Sequence, residues 1–250
     1  MIFKCFSLFF FAMLRDIVKQ CAERGTVYAF KPPARPTLPT ICFIPGFRSD
    51  FVTSKKSLTV YDYAVDRGLG FLSWNHADGS VYDWYQDSVS FIQTHTRGLS
   101  YLVGASCGLW ISLLVAKQMP VKGILGIGGS VNFTERWLMN ELSEEQRDMN
   151  YIWRRPSPYD PKGYYDIPVS FLLESRRALI TDYSDIQCER IIMIHGVHDI
   201  DASLECAKQI SNRLGKRALL YQMDQGDHRL SSKKDLCFLR EKLHELVSNE

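Results

Sequence analysis

Short, continuously apolar runs alternate along the chain with longer stretches in which apolar residues return every three or four positions. Residues 40–44 (Thr-Ile-Cys-Phe-Ile) form such a run, the pattern of a strand buried on both faces. Residues 70–74, 102–103, 123–129 and 190–194 repeat it, and 218–222 reads as a last strand. Between them lie amphipathic stretches that predict helices. One covers 54–67, with Leu58, Tyr61 and Val65 on one face and Gly68 as the stop, and a second covers 81–96, with Trp84, Val89 and Ile92 facing inward. A third ends near Lys117 and carries Trp110, Leu113 and Leu114; a fourth covers 203–214 with Leu204, Ala207, Ile210 and Leu214 on one face; a last begins at Ser232. Residues 26–31 read as an edge strand, after which Pro32, Pro33, Pro36 and Pro39 mark an extended linker. Strands and helices alternating in this way specify an α/β fold on a mostly parallel sheet flanked by helices.

The alternation stops from 131 to about 183. Trp137, Leu138, Met139 and Leu142 stand at helical spacing, followed by 151–153, a proline-broken run over 155–161, and the apolar 169–173. Some fifty residues between two sheet strands are too many for a plain connection, and the segment reads as a small helical lid whose aromatic stripe packs locally. The domain reading is a single α/β unit over 26–250 carrying that lid.

Composition adds exclusions. With 250 residues, 46% hydrophobic and 23% charged, the chain has material for one sizeable core. Thirty Lys and Arg are scattered among 28 Asp and Glu for a formal charge of +2, which gives no footprint for nucleic acid. Seven cysteines (Cys5, Cys21, Cys42, Cys107, Cys188, Cys206, Cys237) are widely spaced, odd in number and form no CxxC pair. That favours free thiols in a reducing intracellular compartment, cytoplasmic or alternatively mitochondrial, over a disulfide framework or a zinc site. Residues 1–25 begin with an apolar run of about ten residues, half of what a bilayer span needs. A signal-peptide core, a transit segment and a helix docked on the domain stay open there; the absence of an Ala-x-Ala site favours a retained segment. The chain is expected to have no stable membrane span, and its oligomeric state is left open.

The chemistry gathers around Gly104-Ala105-Ser106-Cys107-Gly108, where an apolar strand runs into an apolar helix. Gly-x-Ser-x-Gly in a strand–turn–helix context is the pattern of a nucleophile elbow. A turn tight enough to lift a serine above the strand end would drive side chains at its flanks into the chain, and glycine removes them. The same turn leaves the N–H of Cys107 at a helix start, facing a developing oxyanion. Two further loops leave predicted strand ends carrying Asp199 and His228, so that Ser106, Asp199 and His228 follow in the order of an α/β-hydrolase triad. His228 would take the Ser106 proton and Asp199 would orient the imidazole. Asp201 is the alternative acid. His198 reads as loop or rim, His195 as part of the turn after its strand, and His76, His95 and His244 have no partner motif. Cys107 sits one step past the apex and reads as no nucleophile. No cluster has metal-ligand spacing and no loop has a phosphate-cradling pattern, so no cofactor or metal is implied.

On Phe43-Ile-Pro-Gly46, Gly104-Ala-Ser-Cys-Gly108, His195-Gly-Val-His-Asp199 and Gly226-Asp-His228, the stretch from about residue 40 to the C-terminus resembles an α/β-hydrolase. The opening Ile-Pro-Gly, the Trp-Arg-Arg-Pro-Ser-Pro-Tyr run of the lid and Asp227-His228-Arg229 make it similar to the branch of palmitoyl-protein thioesterases and acyl-glucuronide esterases. The resemblance implies a serine nucleophile at Ser106, an acid at Asp199, a base at His228, and oxyanion donors from the main-chain N–H groups of Phe47 and Cys107. Leu109 stands where relatives often have a second glycine, and Ala202-Ser203 where Val-Pro commonly follows the acid. The expected activity is hydrolysis of carboxylic esters or thioesters, on a small molecule or an acylated protein, with the apolar lid suiting a medium or long acyl group. The alternatives are a catalytically silent scaffold binding a partner or hydrophobic ligand, and a peptidase or carbon–carbon hydrolase with the same triad.

Overall fold

The computed structural model describes residues 14–21, 23 and 25–248. Residues 1–13 of the N-terminal apolar run lie outside the described residues. The strands are β1 (Val18–Cys21), β2 (Thr26–Lys31), β3 (Thr40–Ile44), β4 (Gly70–Trp74), β5 (Tyr101–Ala105), β6 (Gly123–Ile127), β9 (Ile191–Gly196) and β10 (Ala218–Met223), joined in one eight-stranded sheet in the order β1-β2-β4-β3-β5-β6-β9-β10. From β4 to β10 all neighbours are parallel, while β1 and β2 add an antiparallel edge. The period-two alternation of strands explains why the central runs are apolar throughout. In β3, Cys42 and Ile44 enter one core while Ile41 and Phe43 enter the other. The first core is closed by α2 (Val81–His95), α3 (Cys107–Gln118) and α6 (Leu204–Leu214), the second by α1 (Lys55–Asp66) and α7 (Lys233–Ser248). Among the described residues no helix is long and apolar enough to cross a membrane.

Two expectations need correction. β2 is not an edge strand, because β1 pairs outside it from Val18↔Ala29 to Cys21↔Thr26. The sequence of β1, Val-Lys-Gln-Cys, is half-polar and short, so no apolar run announced it. Leu58, Tyr61 and Val65 share the inward face of α1 with Ser57, Val60 and Ala64, and α7, packing beside it, also draws in Tyr63. The segment over 131–183 is not purely helical. It holds α4 (Phe133–Asn140), an antiparallel hairpin of β7 (Ile152–Pro156) and β8 (Tyr164–Pro168), and α5 (Val169–Glu174). A two-stranded ribbon is edge on both sides and therefore accommodates Pro156 and Pro168 at strand ends. Those prolines had disguised the strand pattern.

The loops that leave β3, β5, β9 and β10 all emerge at the carboxyl end of the parallel strands, where open α/β sheets assemble their sites. Segment 131–183 follows β6 at the same end.

Candidate active site

The turn from β5 to α3 holds Ser106 at φ 53° and ψ −118°, a left-handed conformation for a residue with a side chain. Such a backbone costs about 1–3 kcal/mol and persists only where its surroundings enforce it. The enforcement is visible in the flanking glycines. A Cβ on Gly104 would stand 2.3 Å from the carbonyl oxygen of Gly108, and one on Gly108 would stand 2.2 Å from that of Ile44. The elbow is thus pressed between its own helix and the end of β3. Leu109, the departure from the related pattern, is fully buried. Its side chain occupies the space over Gly126 and Gly129, where added Cβ atoms would meet it at 2.9 and 2.2 Å. Glycines on and just beyond β6 make the room that a glycine at 109 would otherwise provide.

Ser106 Oγ lies 3.1 Å from His228 Nε2, and His228 Nδ1 lies 2.8 Å from Asp199 Oδ2. The Asp199 side chain is 0% exposed. Its Oδ1 accepts from the N–H groups of Asp201 (3.0 Å) and Ala202 (2.8 Å). Burial pushes the carboxyl upward, but hydrogen bonds from His195 and His228, the charge interaction with His228 and the Ala202 N–H overrule it and hold Asp199 well below the usual carboxylate range. An ionised Asp199 accepts the Nδ1–H of His228 and leaves the Nε2 lone pair facing the Ser106 hydroxyl. Asp201 is engaged elsewhere: Tyr159 Oη donates to its Oδ2 at 2.8 Å. Asp199, Asp201 and His228 also form the group of donors nearest to metal-ligand spacing among the described residues. Both Asp199 oxygens there already accept N–H groups and His228 Nδ1 is turned to Asp199.

Two histidines without a sequence motif brace this arrangement. His195 is 0% exposed, with Nε2 at 2.7 Å from the Ala202 carbonyl and 3.3 Å from Asp199 Oδ2. A carbonyl only accepts, so Nε2 carries the proton and ties the acid loop to the end of β9. His76 stacks on Trp84 and places Nε2 at 3.0 Å from the Pro45 carbonyl, under the loop that leads to Phe47. Burial pushes His76 down to about 4, so it is a neutral brace at ordinary pH. His198 is exposed, His95 bonds its own helix at the Phe91 carbonyl, and His244 sits against Tyr63 and Ser248, away from the cleft.

The Cys107 N–H opens α3 and has no helical acceptor. Burial lifts the Cys107 thiol to about 12, against the opposing N–H groups of Phe47 and of Cys107 itself. A thiol so placed is not a nucleophile. A Cβ added to Gly46 would lie 3.1 Å from Ser106 Cβ, which shows how closely the β3–α1 loop approaches the elbow. Ser203, in place of the usual proline after the acid, caps α6 by accepting the Cys206 N–H.

These groups open into a cleft of about 710 Å³. Its lining includes an aromatic wall in which Phe47 meets Phe133, Trp137 and Tyr165, with Arg155 over Trp137, and also Lys56, Arg229 and Ser231, Lys56 donating to the Arg229 carbonyl. The aromatic stripe of segment 131–183 does more than pack locally. Trp137 meets Phe133 edge-on at 4.5 Å and Phe47 at 5.8 Å while lining the cleft. Nor is the segment an apolar roof, since it also contributes Arg155, Ser157 and Tyr159. Tyr159 reaches over the acid loop to Asp201, and the Arg229 guanidinium lies 5.5 Å above its ring.

No protein-family model matches the chain. In three dimensions it superposes on the mouse α/β-hydrolase domain-containing protein 10 with a TM-score of 0.80, covering 92% of this chain and 97% of that one at 24% identity. The chain has the α/β-hydrolase fold. Est1E from Butyrivibrio proteoclasticus has the same fold at a TM-score of 0.73 and 14% identity, covering 93% of this chain and 98% of that one. In sequence the chain is similar to the rat protein named palmitoyl-protein thioesterase ABHD10, mitochondrial. It is 25% identical over 244 residues, covering 88% of this chain and 82% of the relative. Within the fold it therefore resembles the ABHD10 branch.

Proposed function

We propose that the chain is a serine hydrolase that cleaves carboxylic esters or thioesters through an acyl-enzyme on Ser106. The observation that carries this reading is the unbroken series Ser106 Oγ, His228, Asp199, at 3.1 and 2.8 Å, at the base of a cleft. As Oγ attacks the substrate carbonyl, its proton passes to His228 Nε2, and the oxyanion is held by the N–H groups of Phe47 and Cys107. The C–O or C–S bond then breaks, and the leaving group takes the proton from His228. Water repeats the sequence on the acyl-enzyme and releases the carboxylic acid. Asp199, ionised throughout, keeps the histidine in the tautomer that both half-reactions use.

Residues 26–250 serve as one catalytic domain with 131–183 as its lid, tied down at Tyr159 and at Arg48, whose guanidinium donates to the Asp166 carbonyl. The name of the rat relative supports an acylated protein thiol as one substrate, beside small esters. That name also supports the mitochondrial alternative for its compartment. The free cysteines Cys21, Cys42, Cys107, Cys188, Cys206 and Cys237 suit a reducing one.

The test is labelling and turnover together. A fluorophosphonate probe should label the wild type once, at Ser106, and Ser106→Ala and His228→Ala should abolish labelling. Hydrolysis of a short p-nitrophenyl ester should vanish in Ser106→Ala. Retained hydrolysis in that variant removes the nucleophile assignment, and an inactive but folded wild type leaves the scaffold reading.

A further inference from the structure

In the β7/β8 hairpin, Trp153 stands opposite Ile167 and Arg155 opposite Tyr165. Residues opposed across an antiparallel pair share one face. Trp153 and Ile167 are buried, so this is the inner face, and Arg155 points the same way, toward the body of the protein. A guanidinium in such a position is costly unless its donors are used. The Arg155 side chain is 17% exposed. Its Cζ lies 4.3 Å from the Trp137 ring centre and 5.8 Å from that of Trp153. Its Nε is buried without a hydrogen-bond partner. The carboxylate nearest to it, Glu141, is 3.4 Å from Nε and 38% exposed, compensating charge without filling the fork.

A second guanidinium reaches the same wall. Arg48, next to Phe47, lies 5.5 Å over the Phe47 ring and 4.8 Å over that of Tyr165, and its hydrogen bond goes to a main-chain carbonyl. The other carboxylates of the cleft already accept hydrogen bonds. Asp50 accepts from Val52, Thr53 and Asn75, Asp201 from Tyr159, Asp227 from Leu230, and Asp235 from Ser232.

We infer that Arg155, supported by Arg48, is a carboxylate subsite at the aromatic wall of the cleft, and that the preferred substrates are monoesters or monothioesters of dicarboxylic acids. This rests on the proposed acyl-enzyme. The leaving atom lies at His228, whose neighbour Arg229 accepts at its carbonyl from Lys56, and the aromatic wall around Phe47 is assigned to the acyl part. A planar fork with open donors beside aromatic faces is the recognition element for a carboxylate, which it binds through two parallel hydrogen bonds. The aromatic rings then hold the methylene chain between the two carbonyl carbons.

The experiment compares glutaryl, adipoyl and suberoyl monothioesters of N-acetylcysteamine with the pentanoyl, hexanoyl and octanoyl thioesters of the same thiol. At the best length, kcat/KM of the wild type should favour the carboxylate-ended acyl group by roughly ten- to a hundredfold, the range of one charge-assisted pair. Arg155→Gln should collapse that ratio, and Arg155→Lys should restore part of it. Glu141→Gln should keep or raise the ratio, because the competing acid is gone; if Arg155 merely paired with Glu141, the two glutamine variants would behave alike. Should Arg155→Gln fail to fold, competition in the wild type serves: free adipate should inhibit hydrolysis of a neutral thioester, and hexanoate should do so far more weakly. Neutral thioesters hydrolysed with no carboxylate preference at any length overturn the subsite while leaving the hydrolase reading intact. Loss of turnover on every thioester overturns the hydrolase reading itself. An advantage seen only when the carboxylate is on the leaving thiol overturns the assignment of this wall to the acyl group.

Discussion

Replacing Asp199 by asparagine changes one atom and probes the whole series. Asp199 Oδ1 faces the N–H groups of Asp201 and Ala202, and Oδ2 faces His228 Nδ1 at 2.8 Å and His195 Nε2 at 3.3 Å. An amide has a single acceptor oxygen for these four nitrogens, so one orientation sets its NH₂ against two main-chain N–H groups, which have no alternative. The other sets it against His228 and against His195, whose Nε2–H already goes to the Ala202 carbonyl. The second is the cheaper, because an imidazole can move its proton to Nε2 and accept at Nδ1. That tautomer presents an N–H to Ser106 and is no base. We expect kcat to fall on the order of 10⁴-fold, about 5.5 kcal/mol of transition-state stabilisation.

Stability should change with a definite pH signature. The folded Asp199 carboxyl is held below its ordinary value. Its ionisation therefore contributes stability that is fully present above the unfolded carboxylate pKa and is lost as pH falls through the folded one. Asp199→Asn should flatten that acid limb in thermal unfolding. The assay is kcat on a p-nitrophenyl ester alongside melting curves from neutral to acid pH. A folded Asp199→Asn enzyme within tenfold of wild type would refute the orienting role and point to Asp201. Asp201→Asn should lose less than tenfold, since its bond is to Tyr159.

Other variants test the packing around the site. Gly108→Ala places a Cβ 2.2 Å from the Ile44 carbonyl. It should cost about 1–3 kcal/mol of stability by overpacking and abolish fluorophosphonate labelling; wild-type melting and labelling would show that β3 yields freely. Leu109→Ala should leave a cavity over Gly126 and Gly129 and lower stability by about 2–5 kcal/mol in urea unfolding. Lys56 is pushed down to about 8 by burial and by Arg229. A lowered lysine binds fewer protons folded than unfolded, so wild-type stability should rise as pH increases from about 8 toward the ordinary lysine range. Lys56→Met should lack that rise, as chemical unfolding at several pH values would reveal.

The apolar runs, their helical partners and the elbow were legible in the sequence because burial and turn geometry are local constraints. A strand buried on both faces has no polar position to offer, as in β3, and a turn like that at Ser106 excludes side chains at 104 and 108. The loop order of Ser106, Asp199 and His228 could be read in the same way, since each closes a recognisable strand. The edge strand β1 and the hairpin of segment 131–183 were not legible. Val-Lys-Gln-Cys lacks an apolar face, and prolines masked the pairing of β7 with β8.

What only the tertiary structure decided is which side chains meet across elements far apart in sequence. Nothing near Leu109 announces that Gly126 and Gly129 make room for it. The roles of His76 beneath Pro45, of His195 beside Asp199 and of Tyr159 on Asp201 follow from strand order and loop packing. The same holds for Arg155, which reads as a surface charge in its own segment. It becomes a desolvated cation facing the cleft only because its neighbours Trp153 and Ile167 are apolar enough to turn that face of the hairpin inward. Periodicity encodes whether a residue is buried, whereas the partner that burial brings is set by the packing of the whole chain.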